Sequence, residues 1–368
     1  MRLRSAIWIG TLLSLLIFTV HTPAQAARKL RFTSLKKKAK KIKGHELSVR
    51  PGNNRAYTQS WNMWAWNSQG YVVYGLFVVT KIIGGARLGV QLTIRTPKGK
   101  VIHKMVEYSK GQYNYKKNRL LVWVPNKHVF RFSGKRGRFI ANFGKWGVKF
   151  KMKKTLPGFR FTNGPIRFGS KRFIGLTFAP RLSVKGTIRI NNKKIKFKGV
   201  GYSDHGWQNI MPHHVSRRWY AGRMISKDYT IIASQLLPAT KWRPRSVPGL
   251  SIAKGNKWIF HGDHRHVKLS ARRRIKDKDS GYMVPQYVVY RGKRNGTKVK
   301  LVIKHKKLFD KMDVMSQFNP VLRVLLRALI ANPWIFRYQA EFTLTIKKGG
   351  KTTKIRRLGF SEWALLNK

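Results

Sequence analysis

From residue 55 onward, apolar and polar residues alternate along much of the chain with a period of two. Val148-Lys149-Phe150-Lys151-Met152 is the clearest run, and Ile188-Arg189-Ile190 and Ile195-Lys196-Phe197-Lys198 repeat the pattern. Successive side chains of a strand point to opposite faces, so these runs predict strands with a buried face and a cationic outer face. Residues 71–79 are β-rich and apolar on both faces, and 88–94 follow as a further strand. Thr96-Pro97-Lys98-Gly99-Lys100 between later strands reads as a tight turn. Residues 120–124 and 138–143 continue the series, and 218–224, 229–234, 258–260, 287–290 and 299–303 form a second set, closed by 339–346 and 357–366. The predicted fold is all-β, in two units with a boundary near residue 215.

One segment has a different period. Leu322, Leu325, Leu326, Leu329 and Ile330 fall on one face of a helix over 320–331. Asn319 can cap it, Pro320 suits its first position, and Asn332-Pro333 stops it. This amphipathic helix is expected to pack on a barrel or plug it, with membrane insertion as the alternative.

The first residues read differently again. A basic start at Arg2 and Arg4, an apolar run from Ala6 to Val20 and Ala24-Gln25-Ala26 make residues 1–26 a signal peptide cleaved after Ala26. The alternative is an uncleaved anchor, but the run is shorter than the ~20 residues of a membrane span. The expected location is periplasmic or secreted. Residues 27–54, with Lys36-Lys37-Lys38-Ala39-Lys40-Lys41, read as a basic linker, either a solvated spacer or a membrane-surface tether. The two units then span 55–215 and 216–368.

Composition narrows the partners. There are 79 Lys and Arg against 11 Asp and Glu, a net charge of +68. Cleavage after Ala26 removes only Arg2 and Arg4. Such a surface attracts polyanions. Export argues against nucleic acid, so an anionic membrane or lipopolysaccharide surface is the expected partner, unless the charge reflects a general basic bias. There is no Cys, so thiol catalysis and disulfides are excluded and packed cores must supply the stability.

Candidate chemistry gathers in Gly199-Val200-Gly201-Tyr202-Ser203-Asp204-His205-Gly206-Trp207, where a scarce acid sits between Tyr202 and His205. Its glycines permit close backbone approach. Trp61, Trp64 and Trp66 lie within six residues, more than one strand face needs. With Tyr202, Trp207 and Trp219 they are candidates to line an apolar ligand pocket, against the alternative of filling the core. His213-His214 and His261 to His266 invite a metal reading, with His264 and His266 on one strand face. Arg265, Lys268 and Arg245 oppose a cation there, so neither metal nor cofactor is expected.

These residues carry a resemblance. The 199–207 stretch is similar to the Gly-x-Gly-Tyr-x-Asp-His-x-Trp signature of the tandem-lipocalin family of bacterial carotenoid hydratases and eukaryotic survival-factor proteins. Trp61-Asn62-Met63-Trp64-Ala65-Trp66 before Gly70-Tyr71, Gly111-Gln112-Tyr113-Asn114-Tyr115, and 320–331 with Asn332-Pro333-Trp334 resemble further family features. The resemblance covers roughly 55–366. It departs at Gln208, where the family has Gly. It implies two tandem lipocalin-like β-barrels. If the hydratases are the guide, it implies Asp204 as the acid that protonates a carbon–carbon double bond, Tyr202 assisting and His205 orienting Asp204.

The expected function is an exported binding or carrier protein for an apolar, lipid-like ligand near an anionic envelope surface. The alternative is a hydratase or isomerase of a polyene or terpenoid using Asp204 and Tyr202. A third reading is a structural protein that binds polyanions.

Overall fold

The computed structural model describes residues 28–31, 42–50, 56–82, 85–160, 162, 164–244, 246–317 and 332–366. Two antiparallel sheets follow one another along the chain. The first runs in space from Val101–Ser109 through Gly85–Arg95, Val72–Ile82, Thr58–Trp66, Lys193–Gln208, Lys171–Ile190, Trp146–Lys154, Arg136–Phe143, His128–Ser133 and Leu121–Val124 to Asn114–Tyr115. The second runs from Lys257–Gly262 through Val247–Lys254, Tyr229–Pro238, Ser216–Ile225, Lys351–Leu365, Trp334–Lys348, Thr297–Asp313 and Met283–Arg294 to Val267–Lys276. In each sheet the last long strand returns to pair with the first.

Each sheet curls around its own apolar core into a lipocalin-like barrel. Phe77, Phe130, Phe139, Phe150 and Phe178 fill the first, and Tyr220, Tyr290, Leu301, Phe336 and Phe342 the second. The alternation seen in the sequence is what drives the curl: Val148, Phe150 and Met152 point inward, while Lys149, Lys151 and Lys153 are exposed. Gly75 belongs to the same packing, since a Cβ there would lie 2.2 Å from the Phe139 ring.

The barrels meet through the outer faces of their paired strands. Trp64, Val72, Tyr74 and Tyr202 of the first pack against Ile225, Ile232, Phe309 and Phe360 of the second. Arg181 reaches across to the carbonyls of Ser226 and Lys227 at 2.7 and 2.8 Å. A second apolar cluster joins Leu30, Ile166 and Phe168 to Val215, Leu236 and Trp242.

Three expectations change. Residues 42–50, read as part of a basic linker, pack on the first barrel with Leu47 and Val49 buried. Trp61 Nε1 donates to Leu47 O at 2.9 Å, Gln59 Nε2 donates to Ser48 O at 2.7 Å, and Glu46 pairs with Arg160 at 2.8 Å. Two apolar residues and one acid among many lysines were enough to fix this segment. Arg28–Lys29 likewise forms a parallel bridge with Trp242–Arg243. His264 and His266 do not share a strand face: residues 263–266 form a turn closed by Asp263, which accepts from Arg265 N and contacts His266 Nδ1 at 2.6 Å. The 320–331 helix, the signal peptide and the 36–41 lysines lie outside the described residues. Among the described residues no helix is long and apolar enough to cross a membrane.

Candidate functional site

Strand alternation divides the signature between two environments. Gly201, Ser203, His205 and Trp207 alternate with Val200, Tyr202 and Asp204 along Lys193–Gln208. His205 turns into the first barrel and stacks on Trp61, with ring centroids 5.2 Å apart. Its Nδ1 donates to Ser60 O at 2.9 Å, so its Nε2 accepts from Gln59 Nε2 at 3.2 Å. Burial lowers its pKa to about 4, so it is neutral at pH 7. His205 therefore does not orient Asp204, because adjacent strand residues face opposite sides. Trp207 also lies on the barrel side, edge-on to Tyr57 at 6.3 Å.

The tryptophans divide in the same way. Trp61 is inside the first barrel, while Trp64 and Trp66 face the second. Trp219 is half-buried, opposite Leu236 and Ala364. It sits four residues before Arg223 on the same strand, about 13 Å away.

What gathers between the barrels is a cluster of charge around Trp64. Asp204 Oδ1 accepts from Asn62 Nδ2 at 2.7 Å, and Asn62 Oδ1 accepts from Tyr74 OH at 2.8 Å. Arg223, from the second barrel, brings Nη2 to 3.7 Å from Asp204 Oδ2. Its guanidinium lies 4.9 Å from the Trp64 ring and 4.8 Å from the Tyr202 ring. Arg337 donates from Nε to Glu362 at 2.7 Å and from Nη1 to Asp310, and stacks 4.2 Å from the Tyr74 ring. Phe309 and Phe360 close the apolar side, each 6.2 Å from Trp64. Three of the chain's 11 acids thus meet two arginines that are almost wholly buried.

The protonation states follow from this packing. Burial raises the Asp204 carboxyl, against the pull of Arg223, Asn62 and Tyr202. Its side chain keeps 23% of its surface exposed, so it is the acid at this junction that solvent or a ligand can reach. Burial, then Asp204, pushes the Tyr202 phenol well up, so it remains a donor; its OH lies 3.2 Å from Thr177 Oγ1. Arg223 is 4% exposed, yet its Nε and Nη1 have no hydrogen-bond partner, nor has Trp64 Nε1. The Arg223 guanidinium lies against the Trp64 and Tyr202 rings instead.

Among the described residues no group of three His, Asp or Glu is arranged to hold a metal ion. Two surface clefts, of about 430 and 220 Å³, are lined by other residues, the first by His45, Arg50 and Lys117 and the second by Trp258, Phe260 and His261. Gln208 continues the ladder opposite Thr58 and Phe173, so the departure from the signature does not break the strand.

Sequence reasoning missed Asn62, Tyr74, Arg223, Asp310, Arg337 and Glu362. One signal was available. Gly359-Phe360-Ser361-Glu362-Trp363 repeats Gly201-Tyr202-Ser203-Asp204-His205 in residue type. The register agrees, since Phe360 pairs with Arg223 as Tyr202 pairs with Trp64. The two barrels present equivalent acids to the junction.

Comparison with known proteins agrees with this architecture. The Svf1 family model matches residues 20–366. A ceramide-binding protein SVF1 of Candida albicans is 25% identical over 232 residues, covering 58% of this chain and 59% of the relative. Its namesake from Yarrowia lipolytica is 23% identical over 193 residues, covering 48% of each chain. The chain thus spans about half to three-fifths of the length of the curated relatives it matches. Among solved structures, an AttH of Nitrosomonas europaea aligns with TM-score 0.61 at 13% identity, covering 90% of this chain and 98% of that one. Kievitone hydratase of Nectria haematococca aligns with TM-score 0.56 at 11% identity, covering 91% and 98%. At these identities the structures speak for the fold alone. Two tandem barrels, the signature strand and a family match over nearly the whole length make this chain a member of the Svf1 family.

Proposed function

We propose that the protein binds an apolar lipid with a small hydrogen-bonding head, of the ceramide kind, at the junction of the barrels. The observation that carries this reading is Arg223: a buried guanidinium with two unpartnered nitrogens, beside the unpartnered Trp64 Nε1 and the part-exposed Asp204. Together they offer donors for a carbonyl or hydroxyl oxygen and an acceptor for a hydroxyl or amide N–H. Trp66, Phe309 and Phe360 offer apolar surface next to them. The relatives named as ceramide-binding proteins support a lipid ligand. Trp64 and Phe360 are in ring contact, so ligand entry parts the barrels locally. In the same proposal the protein is exported and works near an anionic envelope surface, which the basic composition supports.

The test is binding of a fluorescent short-chain ceramide to the full chain, with lipid mass spectrometry of the purified protein. Arg223→Gln is expected to weaken binding about tenfold, the equivalent of ~1.4 kcal/mol for lost charge-assisted hydrogen bonds. Equal affinity for a plain hydrocarbon, or an unaffected Arg223→Gln variant, would overturn the reading.

A second reading, hydration or isomerisation of a polyene, rests on Asp204, a carboxyl raised by burial and within reach of solvent. A carboxyl whose proton affinity is raised by burial can act as a general acid. Asp204→Asn separates the two readings. A carrier retains ligand in this variant, whereas an enzyme retains ligand and loses turnover of a polyene substrate.

A further inference from the structure

The outer wall of the first barrel carries a feature the lipid site does not use. Arg131 pairs in register with Arg138, Arg138 with Lys151, Lys151 with Lys185, and Lys185 with Lys198. All five point outward, four of them fully exposed and Arg138 partly so. Strands lie about 4.8 Å apart, so the row extends about 19 Å across five strands. Lys149, Lys153, Lys196 and Arg136 flank it on the same face.

Like charges directly opposite one another destabilise a sheet. This row has four such pairs in succession and no acid among its same-face neighbours. An anionic partner that neutralises the row removes that repulsion.

The shape of the wall selects the partner. Outward normals fan apart around a barrel, so a flat bilayer can touch two or three neighbours in the row but not all five. A nucleic-acid duplex, with a persistence length of about 50 nm, is too stiff to follow it. A flexible chain can. Proteins that hold single-stranded nucleic acid add aromatic platforms for the bases. The other same-face neighbours are Ser133, Ser183, Thr187, Ile140, Val129, Val200 and Leu121. The nearest rings, Trp123 opposite Val129 and Trp66 opposite Val200, stand at the two ends of the row and leave its centre without a stacking platform. We propose that this wall is a docking surface for a flexible anionic polysaccharide, whose acid groups lie along the row from Arg131 to Lys198.

The test uses labelled heparin as the probe and two double variants of equal net charge. Lys151→Gln with Lys185→Gln removes the centre of the row. Lys98→Gln with Lys100→Gln removes two exposed cations from the turn before Val101–Ser109. With about 0.7 counterions released per contact on a flexible chain, five contacts give a log–log salt slope of about −3.5 and three give about −2.1. At 0.15 M salt this difference is about a tenfold loss of affinity for the first variant. The second should bind like the parent. The first variant should also melt no lower than the parent, since it relieves a repulsion, so its loss of binding cannot be read as unfolding. Equal losses in both variants would mean diffuse charge and end the proposal. So would preference for phosphatidylglycerol vesicles through the same lysines, or displacement of heparin by a single-stranded oligonucleotide at equal charge.

Discussion

Arg337 shows how a single residue can be both indispensable and removable only with its partners. It is 1% exposed and holds Glu362 and Asp310 from its own barrel while stacking on Tyr74 of the other. Taking away one side of a buried ion pair leaves charges without compensation, at about 3–5 kcal/mol. Here two carboxylates are stranded at once. Arg337→Met is therefore expected to lower the urea midpoint by the equivalent of at least ~3 kcal/mol. Arg337→Lys should recover little, because an ammonium cannot bridge two acids in a fork and stack on a ring. Adding Glu362→Gln and Asp310→Asn to Arg337→Met should restore much of the loss. If that triple variant were no more stable than Arg337→Met alone, stranded charge would not be the cause. Asp204 is held more loosely, by one amide at 2.7 Å and a guanidinium at 3.7 Å, and keeps 23% of its side chain exposed.

At the scale of the element, the glycines of the signature strand act by absence of a side chain. A Cβ on Gly199 would lie 2.2 Å from Trp66 O, and one on Gly201 would lie 2.5 Å from Trp64 O. These backbones are pressed against the Trp-rich strand, and that closeness places Tyr202 and Asp204 over the second barrel. Gly201→Ala must shift a backbone that carries Trp64, at a cost of about 1–3 kcal/mol from overpacking. Gly206→Ala meets only Ser60 Oγ at 3.3 Å and should cost far less. Thermal melts of the two variants check this; equal melting points would mean that the strands can separate without cost. The strands themselves were legible in the sequence, because Lys149, Lys151 and Lys153 alternate with buried partners. The motif was legible as a place. Its division was harder to read, because Tyr202, Asp204 and His205 look like one constellation until the period of two is applied to them. Arg223 and Arg337 were not legible, since two arginines among 79 basic residues carry no mark of burial. Residues 42–50 were hidden for the same reason, with Leu47 and Val49 lost in a lysine-rich stretch.

On the scale of the whole molecule, the repeated barrel explains both the junction and the expected response to acid. Each barrel pairs its last long strand with its first, and each turns an acid outward from that pair, so Asp204 and Glu362 meet where the two outer faces meet. Each barrel also buries neutral histidines, His128 and His205 in the first and His305 in the second, while His261 is half-buried on an outer face of the second. Burial, the leading cause in every case, lowers all four to about 4. Their unfolded value is near 6.5. As pH falls below 6.5 the unfolded chain takes up protons that the folded chain refuses, so these groups stabilise the protein above pH 6.5 and that stability is lost down to about pH 4. A group almost wholly buried, such as His205 or His305, contributes about 3 kcal/mol on this scale. Asp204 runs the other way. Its raised pKa gives stability that is full at acid pH and lost as pH rises through the folded value, so it offsets a small part of the trend. Urea titrations at pH 7.5, 6.5, 5.5 and 4.5 should show the midpoint nearly unchanged from pH 7.5 to 6.5 and falling steadily below it. His305→Gln can keep the hydrogen bond to Pro285 O without the titrating ring, and should flatten part of the fall. A midpoint unchanged from pH 7.5 to 4.5 would mean that these rings are hydrated, and that neither barrel interior is as closed as its packing shows.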